Sequence, residues 1–303
     1  MSWLFYYFIF PGLLFSIIMG LLLSWVDRKT SARLQWRVGP PWYQGFLDIL
    51  KLSGKETILP ESAGWVFLAV PYLGFLSLGL ASAIIGSSIF FPGASFLGDI
   101  IVVVYVLTMP AIALIIGASS SGNPLAAVGA SREMKLALAY ELPFLLSVIA
   151  VVVRSGISIR LNQVLGHQAL YGSNIFSYSG ALAFICAIFC IQAKIGLPPF
   201  DISEAEQEIM AGVLIEYSGL PLAIFKLTKA MLLYTMPLFL TVLFLGGDVG
   251  PAMVALKVAG IVLLLVLIKN TNPRLRIDQA LKFFWGPVTL LSLASLVLAV
   301  IGL

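Results

Sequence analysis

The sequence predicts an all-α, polytopic membrane protein with eight transmembrane helices, both termini on the outer side and one interfacial amphipathic helix. Of the 303 residues, 60% are hydrophobic and only 11% are charged, whereas a soluble domain carries about a quarter charged residues. The mean hydropathy is +1.03, and the charged residues are concentrated between long apolar runs. We therefore expect residues 1–303 to form a single integral membrane domain.

Eight apolar runs are each long enough to cross a bilayer, which takes about 20 mainly apolar residues. They lie near residues 3–26, 65–91, 99–120, 136–153, 177–197, 220–246, 252–269 and 281–303. The first run is too long for a cleavable signal peptide, so we expect it to remain as a span.

The connections between these runs differ in their lysine and arginine content. The first connection, residues 27–61, holds six such residues, whereas the second, residues 92–98, holds none. The third and fourth connections hold two each, the seventh holds three, and the sixth holds none before Lys257, so the odd-numbered connections are richer overall. The positive-inside rule therefore places the odd connections in the cytoplasm and both termini outside.

Two connections have the pattern of a helix lying in the membrane interface. Between residues 46 and 55 apolar side chains alternate with Asp48, Lys51 and Lys55, which suits a helix with its apolar face toward lipid. Residues 157–170 predict a similar helix on the outer side.

The acidic residues are unevenly distributed along the chain. Of the 14 in total, five lie within one connection: Asp201, Glu204, Glu206, Glu208 and Glu216. Carboxylates beside a bilayer are costly to desolvate and commonly pass protons or cations along a path. The alternative, a solvated acidic face, would suffice for one glutamate but explains five less well.

Glu141 lies inside the fourth apolar run, so it is a candidate ion-path residue, although a hydrogen-bonded or ion-paired structural role is the alternative. Pro143 follows and would interrupt the helical hydrogen-bond ladder. Glu133 lies eight residues earlier, which on a continuous helix is about 80° of rotation and 12 Å of rise. Both carboxylates would then face one channel.

Three lysines in or near the spans are candidate counter-charges. Lys194 lies near the end of the fifth span, and Lys226 and Lys229 lie in the sixth. Lysines that extend their ammonium groups toward the interface are the alternative.

The chain offers little for an active site of its own. His167 is the single histidine, Cys186 and Cys190 lie in one apolar run, and no nucleotide-binding loop or metal-ligand set is present. Two cysteines alone do not build a metal site. The net charge of +4 is explained by orientation signals and needs no nucleic acid.

Motifs along the whole chain resemble one family, the membrane subunit that links the hydrophilic and ion-pumping arms of respiratory complex I and of energy-converting membrane-bound [NiFe] hydrogenases. They are Asp27-Arg28-Lys29, Arg37-Val38-Gly39-Pro40, Lys55-Glu56, Ser131-Arg132-Glu133-Met134, Tyr140-Glu141, Pro199-Phe200-Asp201, Glu216-Tyr217-Ser218-Gly219 and Pro273-Arg274.

The resemblance implies a membrane component without a cofactor of its own. Its cytoplasmic connections would support a hydrophilic arm that carries [NiFe] and iron–sulfur centres, and ferredoxin-like and antiporter-like subunits would complete the complex in a prokaryotic cell membrane. The implied ion path comprises Glu133, Glu141, Asp201, Glu204, Glu206, Glu208 and Glu216. The implied anchors and counter-charges are Arg28, Arg33, Arg37 and Arg132, beside the three lysines named above.

Two departures favour the hydrogenase branch over complex I. Leu197 stands where the complex I branch usually has arginine, and Gly39-Pro40-Pro41-Trp42 replaces its usual Gly-Pro-Asn. Both weigh against a bound quinone. A ferredoxin-dependent sulfur-reducing complex shares the same membrane module and is an open alternative. A free-standing cation/proton antiporter using Glu141 and Lys229 is the alternative from a different functional class.

Overall fold

The computed structural model of the chain describes residues 2–60, 64–91, 95–204, 206–248 and 250–302. The side chains of residues 2, 3, 206 and 207 are outside this description. Within these ranges the regular structure is entirely helical, which confirms the predicted all-α class.

Fourteen α-helices follow one another in the described chain. They are α1 Ser2–Phe8, α2 Leu13–Leu34, α3 Gln44–Ser53, α4 Trp65–Phe90, α5 Asp99–Val106, α6 Met109–Ser119, α7 Pro124–Arg154, α8 Leu161–Tyr171, α9 Tyr178–Lys194, α10 Glu206–Ile209, α11 Gly219–Phe244, α12 Pro251–Thr271, α13 Ile277–Phe283 and α14 Thr289–Ile301. Two 3₁₀ turns, Asn174–Phe176 and Gly212–Leu214, and a π-helical segment, Phe284–Val288, complete the regular structure of these residues.

Among the described residues, seven helical segments are long and apolar enough to span a membrane. They are Leu4–Leu34, Trp65–Phe90, Asp99–Ser119, Pro124–Arg154, Gly219–Phe244, Pro251–Thr271 and Ile277–Ile301. At the place of the predicted fifth span lies α9, which is apolar but has only 17 residues. The count of eight spans and the orientation of the termini therefore stay predictions.

Two of the predicted spans are broken rather than continuous. The sequence predicts one helix over residues 3–26, but α1 ends at Phe8 and α2 begins at Leu13, because Pro11 has no N–H to donate. The span predicted at 99–120 is interrupted between Val106 and Met109. Pro110 lies in the first turn of α6, where its missing N–H costs nothing.

The fourth span begins earlier than predicted, at Pro124 rather than at residue 136. The side chain of Asn123 accepts a 2.8 Å hydrogen bond from the amide of Leu125 and so caps the helix. Arg132 and Glu133, which the sequence places in a connection, therefore lie within α7. The helix continues through Pro143 to Arg154.

The most deeply buried helix is α11, which packs against α2, α4, α12 and α3. Almost all of its apolar residues are enclosed, as expected of a helix that is hydrophobic all round. On another side of the molecule α7 packs against α9 and α14. The predicted interfacial helix exists as α3, which lies against α2 and α11, and α8 occupies the second predicted position.

Candidate functional site

A cavity of about 600 Å³ opens among α2, α3, α6, α7, α11, α12 and the loop after α9. Its walls combine apolar residues with an unusual number of charged ones. The charged lining residues are Asp27, Arg28, Asp48, Glu133, Lys194, Asp201, Glu204, Lys226, Lys229, Lys269 and Arg274. Since the chain is poor in charge overall, this concentration identifies the cavity as the candidate site.

The loop after α9 brings acidic residues to the cavity. Gly196 has a φ of +68°, which glycine adopts without strain, and Pro198 and Pro199 cannot continue the helix. The side-chain amide of Gln192 donates a 2.6 Å hydrogen bond to the carbonyl of Pro198 and fixes the turn. The chain therefore reverses at the end of α9, and Asp201 and Glu204 face the cavity.

Glu141 is paired with Lys194 across the α7–α9 contact. The Lys194 Nζ lies 3.0 Å from Glu141 Oε2, and the lysine and glutamate side chains are 1% and 26% exposed, respectively. The same ammonium lies 4.8 Å from the centre of the Phe144 ring. A buried ammonium needs such an opposite charge, and an aromatic face adds to its stabilisation.

A second group of charges surrounds Glu133. Lys229 Nζ lies 2.5 Å from Glu204 Oε2, and both charges interact electrostatically with Glu133. Glu133 itself is buried and accepts a hydrogen bond from the hydroxyl of Ser203. The structure thus brings together Glu133 and Glu204, which the resemblance places on the ion path, and Lys229, a candidate counter-charge.

Two further ion pairs line the cavity, and sequence reasoning did not include three of their four members in the site. Lys269 Nζ lies 2.8 Å from Asp27 Oδ2. Arg274 donates from Nε to Asp201 Oδ1 at 2.8 Å. It also donates a short hydrogen bond from Nη2 to Asp201 Oδ2. Asp27 and Arg274 stand in motifs already noted, but Lys269 gave no signal beyond its place at the end of a span.

Other predicted site residues lie away from this group. Arg132 pairs with the exposed Glu208 at 2.6 Å, and Glu216 accepts a hydrogen bond from the side chain of Asn123. Neither acid lines the cavity. Glu206 begins α10, but its side chain lies outside the described residues.

The predicted arginine anchors have different surroundings. Arg28 pairs with Asp48 of α3 at 3.2 Å, which ties α2 to the interfacial helix. Arg33 and Arg37 are exposed at the end of α2, with no ion pair to another described residue. They are therefore available to a partner.

The Glu216-Tyr217-Ser218-Gly219 motif ties the first connection to the fifth. The ring of Tyr217 stacks on Phe67, its hydroxyl donates to the Phe67 carbonyl, and burial raises the pKa of the Tyr217 phenol. Ser218 Oγ accepts a 2.8 Å hydrogen bond from the amide of Ile58. The first and fifth connections are thus joined through Ile58 and Ser218, and Tyr217 packs on Phe67 of α4.

The arrangement allows charge to be exchanged along a row of acids. Glu133 and Glu141 lie about two turns apart on α7, each beside a lysine. Moving a proton or cation to one carboxylate therefore alters the pairing of the next. The described residues include no group of three or more histidine, cysteine, aspartate or glutamate side chains placed to hold a metal ion.

Comparison with known proteins identifies the family of the chain. The family described as NADH dehydrogenase matches residues 8–300. A subunit of the NADH-quinone oxidoreductase of Dehalococcoides mccartyi is 33% identical, over 94% of this chain and 82% of the relative. The corresponding NADH-quinone oxidoreductase subunit of Thermomicrobium roseum is also 33% identical, over 96% and 93%.

Among solved structures, a chain of a membrane-bound sulfane sulfur reductase, an archaeal respiratory membrane complex, superposes with a TM-score of 0.85. It is 28% identical, and the match covers 99% of this chain and 100% of that one. The chain is therefore a multi-pass membrane protein that belongs to the NADH dehydrogenase family, together with these NADH-quinone oxidoreductase subunits.

Proposed function

We propose that this chain is the non-catalytic membrane subunit of a ferredoxin-dependent, hydrogen-evolving complex and couples electron transfer to H⁺ or Na⁺ translocation. The observation that carries the proposal is the cavity wall, on which buried or half-buried carboxylates lie beside lysines, and one of those lysines, Lys194, pairs with Glu141. Electron transfer itself would take place on partner subunits in the cell membrane of a prokaryote.

The surface around the cavity suits a hydrophilic arm with hydrogenase-like large and small subunits and a ferredoxin-like subunit. Arg33, Arg37 and Trp36 project from the end of α2, where Trp36 is almost fully exposed. Exposed arginine and tryptophan are typical anchors of protein interfaces. The first and fifth connections, which are joined by the hydrogen bond between Ile58 and Ser218, would give the arm a rigid docking surface.

Within the membrane, the surroundings of Glu141 suit an antiporter-like partner. Leu138 and Leu142, its neighbours on α7, are exposed, while Glu141 keeps a quarter of its side chain accessible. A carboxylate that faces lipid would be costly. A partner subunit with polar groups would cover it and receive the ion.

The mechanism follows from electrostatics. An electron arriving in the docked arm adds negative charge at the cavity mouth and attracts a proton or Na⁺ to Asp201 and Glu204. Partial neutralisation of Glu204 weakens its hold on Lys229, which then moves toward Glu133. The change in charge around α7 weakens the ion pair between Glu141 and Lys194. Glu141 then releases its proton or Na⁺ to the next acceptor.

A sulfur-reducing complex is the second candidate, and two observations favour it over the quinone branch. The match spans the whole of the sulfur reductase chain but 82% to 93% of the two NADH-quinone oxidoreductase relatives. In addition, the cavity wall carries the apolar Leu197 at a position where the resemblance associates arginine with the quinone branch.

The test is purification of the complex through a tag on this chain. We expect co-purifying nickel and iron–sulfur proteins and hydrogen evolution from reduced ferredoxin. A nickel-free complex that reduces polysulfide would support the second candidate, and inhibition by quinone-site ligands would support the quinone branch. Cation transport by the purified chain alone in liposomes would contradict the coupling proposal and indicate an antiporter.

A further inference from the structure

One cation in the cavity has no counter-charge among the described residues. Asp27, Asp48, Asp201 and Glu204 each pair with a lysine or arginine of the cavity wall, and Lys194 pairs with Glu141. Two charged lining residues are left over. Glu133 is hydrogen-bonded to Ser203, whereas no described acid lies within ion-pair distance of Lys226.

Lys226 lies well inside a spanning helix. It follows the first residue of α11 by seven positions, or about 10 Å along the axis. Leu222, Lys226, Lys229 and Leu233 line the cavity, and their spacing of four, three and four places them on one face of α11. Lys226 is exposed, so its ammonium is accessible to water or to an anion, one of which must accompany a charge at this depth of a spanning helix.

The cavity wall near Lys226 is apolar. Leu222 and Phe225 of α11 and Pro110, Ala111 and Leu114 of α6 line the same space. A free inorganic anion gains nothing from such walls, whereas a hydrocarbon chain is stabilised by leaving water. The volume of about 600 Å³ lies in the range of ligand-binding sites.

The position of α3 indicates where such a ligand would come from. The helix is amphipathic, packs on α2 and α11, and contributes Gly45, Asp48 and Ile49 to the cavity wall. A helix of this type lies at the boundary between headgroups and acyl chains. The cavity is therefore at the level of lipid headgroups.

We propose that the cavity binds one anionic phospholipid, with the phosphate beside Lys226 and an acyl chain among Leu114, Leu222 and Phe225. The lipid would supply the missing counter-charge of Lys226 and fill the apolar part of the cavity. This binding site does not depend on the coupling role proposed above, since it requires no ion movement.

Native mass spectrometry of the whole purified complex tests the site. We expect the wild-type complex to retain one more anionic phospholipid than Lys226→Gln, while Lys226→Arg, which keeps the positive charge, retains it. Lys135→Gln is the matched control, because Lys135 is exposed on α7 outside the cavity and its loss should change nothing. Equal retention in wild type and Lys226→Gln would overturn the proposal.

A second variant and a second ligand separate the possible sources of the anion. Leu222→Trp keeps Lys226 but fills the apolar part of the cavity, so it should also lose the lipid, even if Lys226→Gln fails to assemble. A short-chain phosphatidylglycerol should raise the unfolding midpoint of delipidated wild-type complex more than inorganic phosphate does. Equal shifts of the unfolding midpoint would show that the site binds a free anion. A structure of the complex with a partner carboxylate beside Lys226 would show that the counter-charge is protein and not lipid. Either result contradicts the proposal.

Discussion

Glu141 and Lys194 depend on each other unequally. The ammonium is almost completely buried, whereas a quarter of the carboxylate side chain remains accessible. Loss of the carboxylate leaves a charge with no access to water, but loss of the lysine leaves one that water or a partner can reach. The unequal burial makes Lys194 the fixed member of the pair and, in the proposed ion path, would leave Glu141 as the member that exchanges an ion.

We predict that Glu141→Leu destabilises the complex more than Lys194→Met. Removing one partner of a buried ion pair costs about 3–5 kcal/mol when the remaining charge is uncompensated. The cost should be smaller in Lys194→Met, because the remaining Glu141 carboxylate is partly accessible. The double variant should recover at least about 1 kcal/mol relative to the sum of the single changes. Denaturant unfolding of the purified complex measures the three values, and strict additivity would show that the pair does not interact.

At the scale of helices and loops, close contact between α2 and α11 depends on glycine. A Cβ built on Gly20 of α2 would lie 2.5 Å from the carbonyl oxygen of Ala230 on α11, which a real side chain cannot do without moving a helix. Small residues at such contacts let helix backbones approach in membranes. The contact matters to the site because both helices line the cavity.

Gly20→Ala should therefore destabilise the protein by about 1–3 kcal/mol, as overpacking does. Gly260→Ala is the matched control in another spanning helix, since nothing lies within 4 Å of its built Cβ. It should be neutral or stabilising by up to about 1 kcal/mol. The unfolding midpoints of both variants measure these effects. An unchanged midpoint in Gly20→Ala would contradict the close contact between α2 and α11.

The two-point contact between Arg274 and Asp201 ties the loop after α12 to the loop after α9, assisted by a 3.0 Å hydrogen bond from the Leu275 amide to the Pro199 carbonyl. Arg274→Lys keeps the charge but not the planar fork. We expect faster amide hydrogen exchange in residues 199–204. Lys51→Arg, a charge-conserving change on an exposed position of α3, should leave exchange unaltered, and unchanged exchange in Arg274→Lys would show that the contact does not hold the loop.

For the molecule as a whole, composition was sufficient to predict the helical membrane class, because apolar length alone determines which segments can span. The break at Pro11 and the early start of α7 were not predicted. Both depend on short-range signals, a proline in an apolar run and the Asn123 cap, that hydropathy does not register. The predicted number of membrane spans depends on a signal of the same kind, since α9 ends after 17 residues, just before a turn that contains glycine and proline.

The candidate site was only partly predictable. The sequence identified Lys194 and Lys229 as candidate counter-charges because a charged residue in an apolar run needs a partner, but it did not assign Glu141 and Glu204 as their respective partners. The contributions of Lys269 and Arg274 were missed, because pairs such as Lys269–Asp27 join residues 242 positions apart. Conversely, Glu208 and Glu216 belong to the acidic cluster in the sequence but lie outside the cavity in the fold.

In the proposed function, ions pass through Glu141 whereas electrons do not. The most direct measurement is the number of ions translocated per electron by the reconstituted complex carrying Glu141→Gln, which keeps an acceptor for Lys194. Asp248→Asn, at an exposed position far from the cavity along α11, is the control. We predict unchanged electron transfer and a loss of translocation of at least about tenfold in Glu141→Gln alone. Translocation at the wild-type ratio would contradict the account.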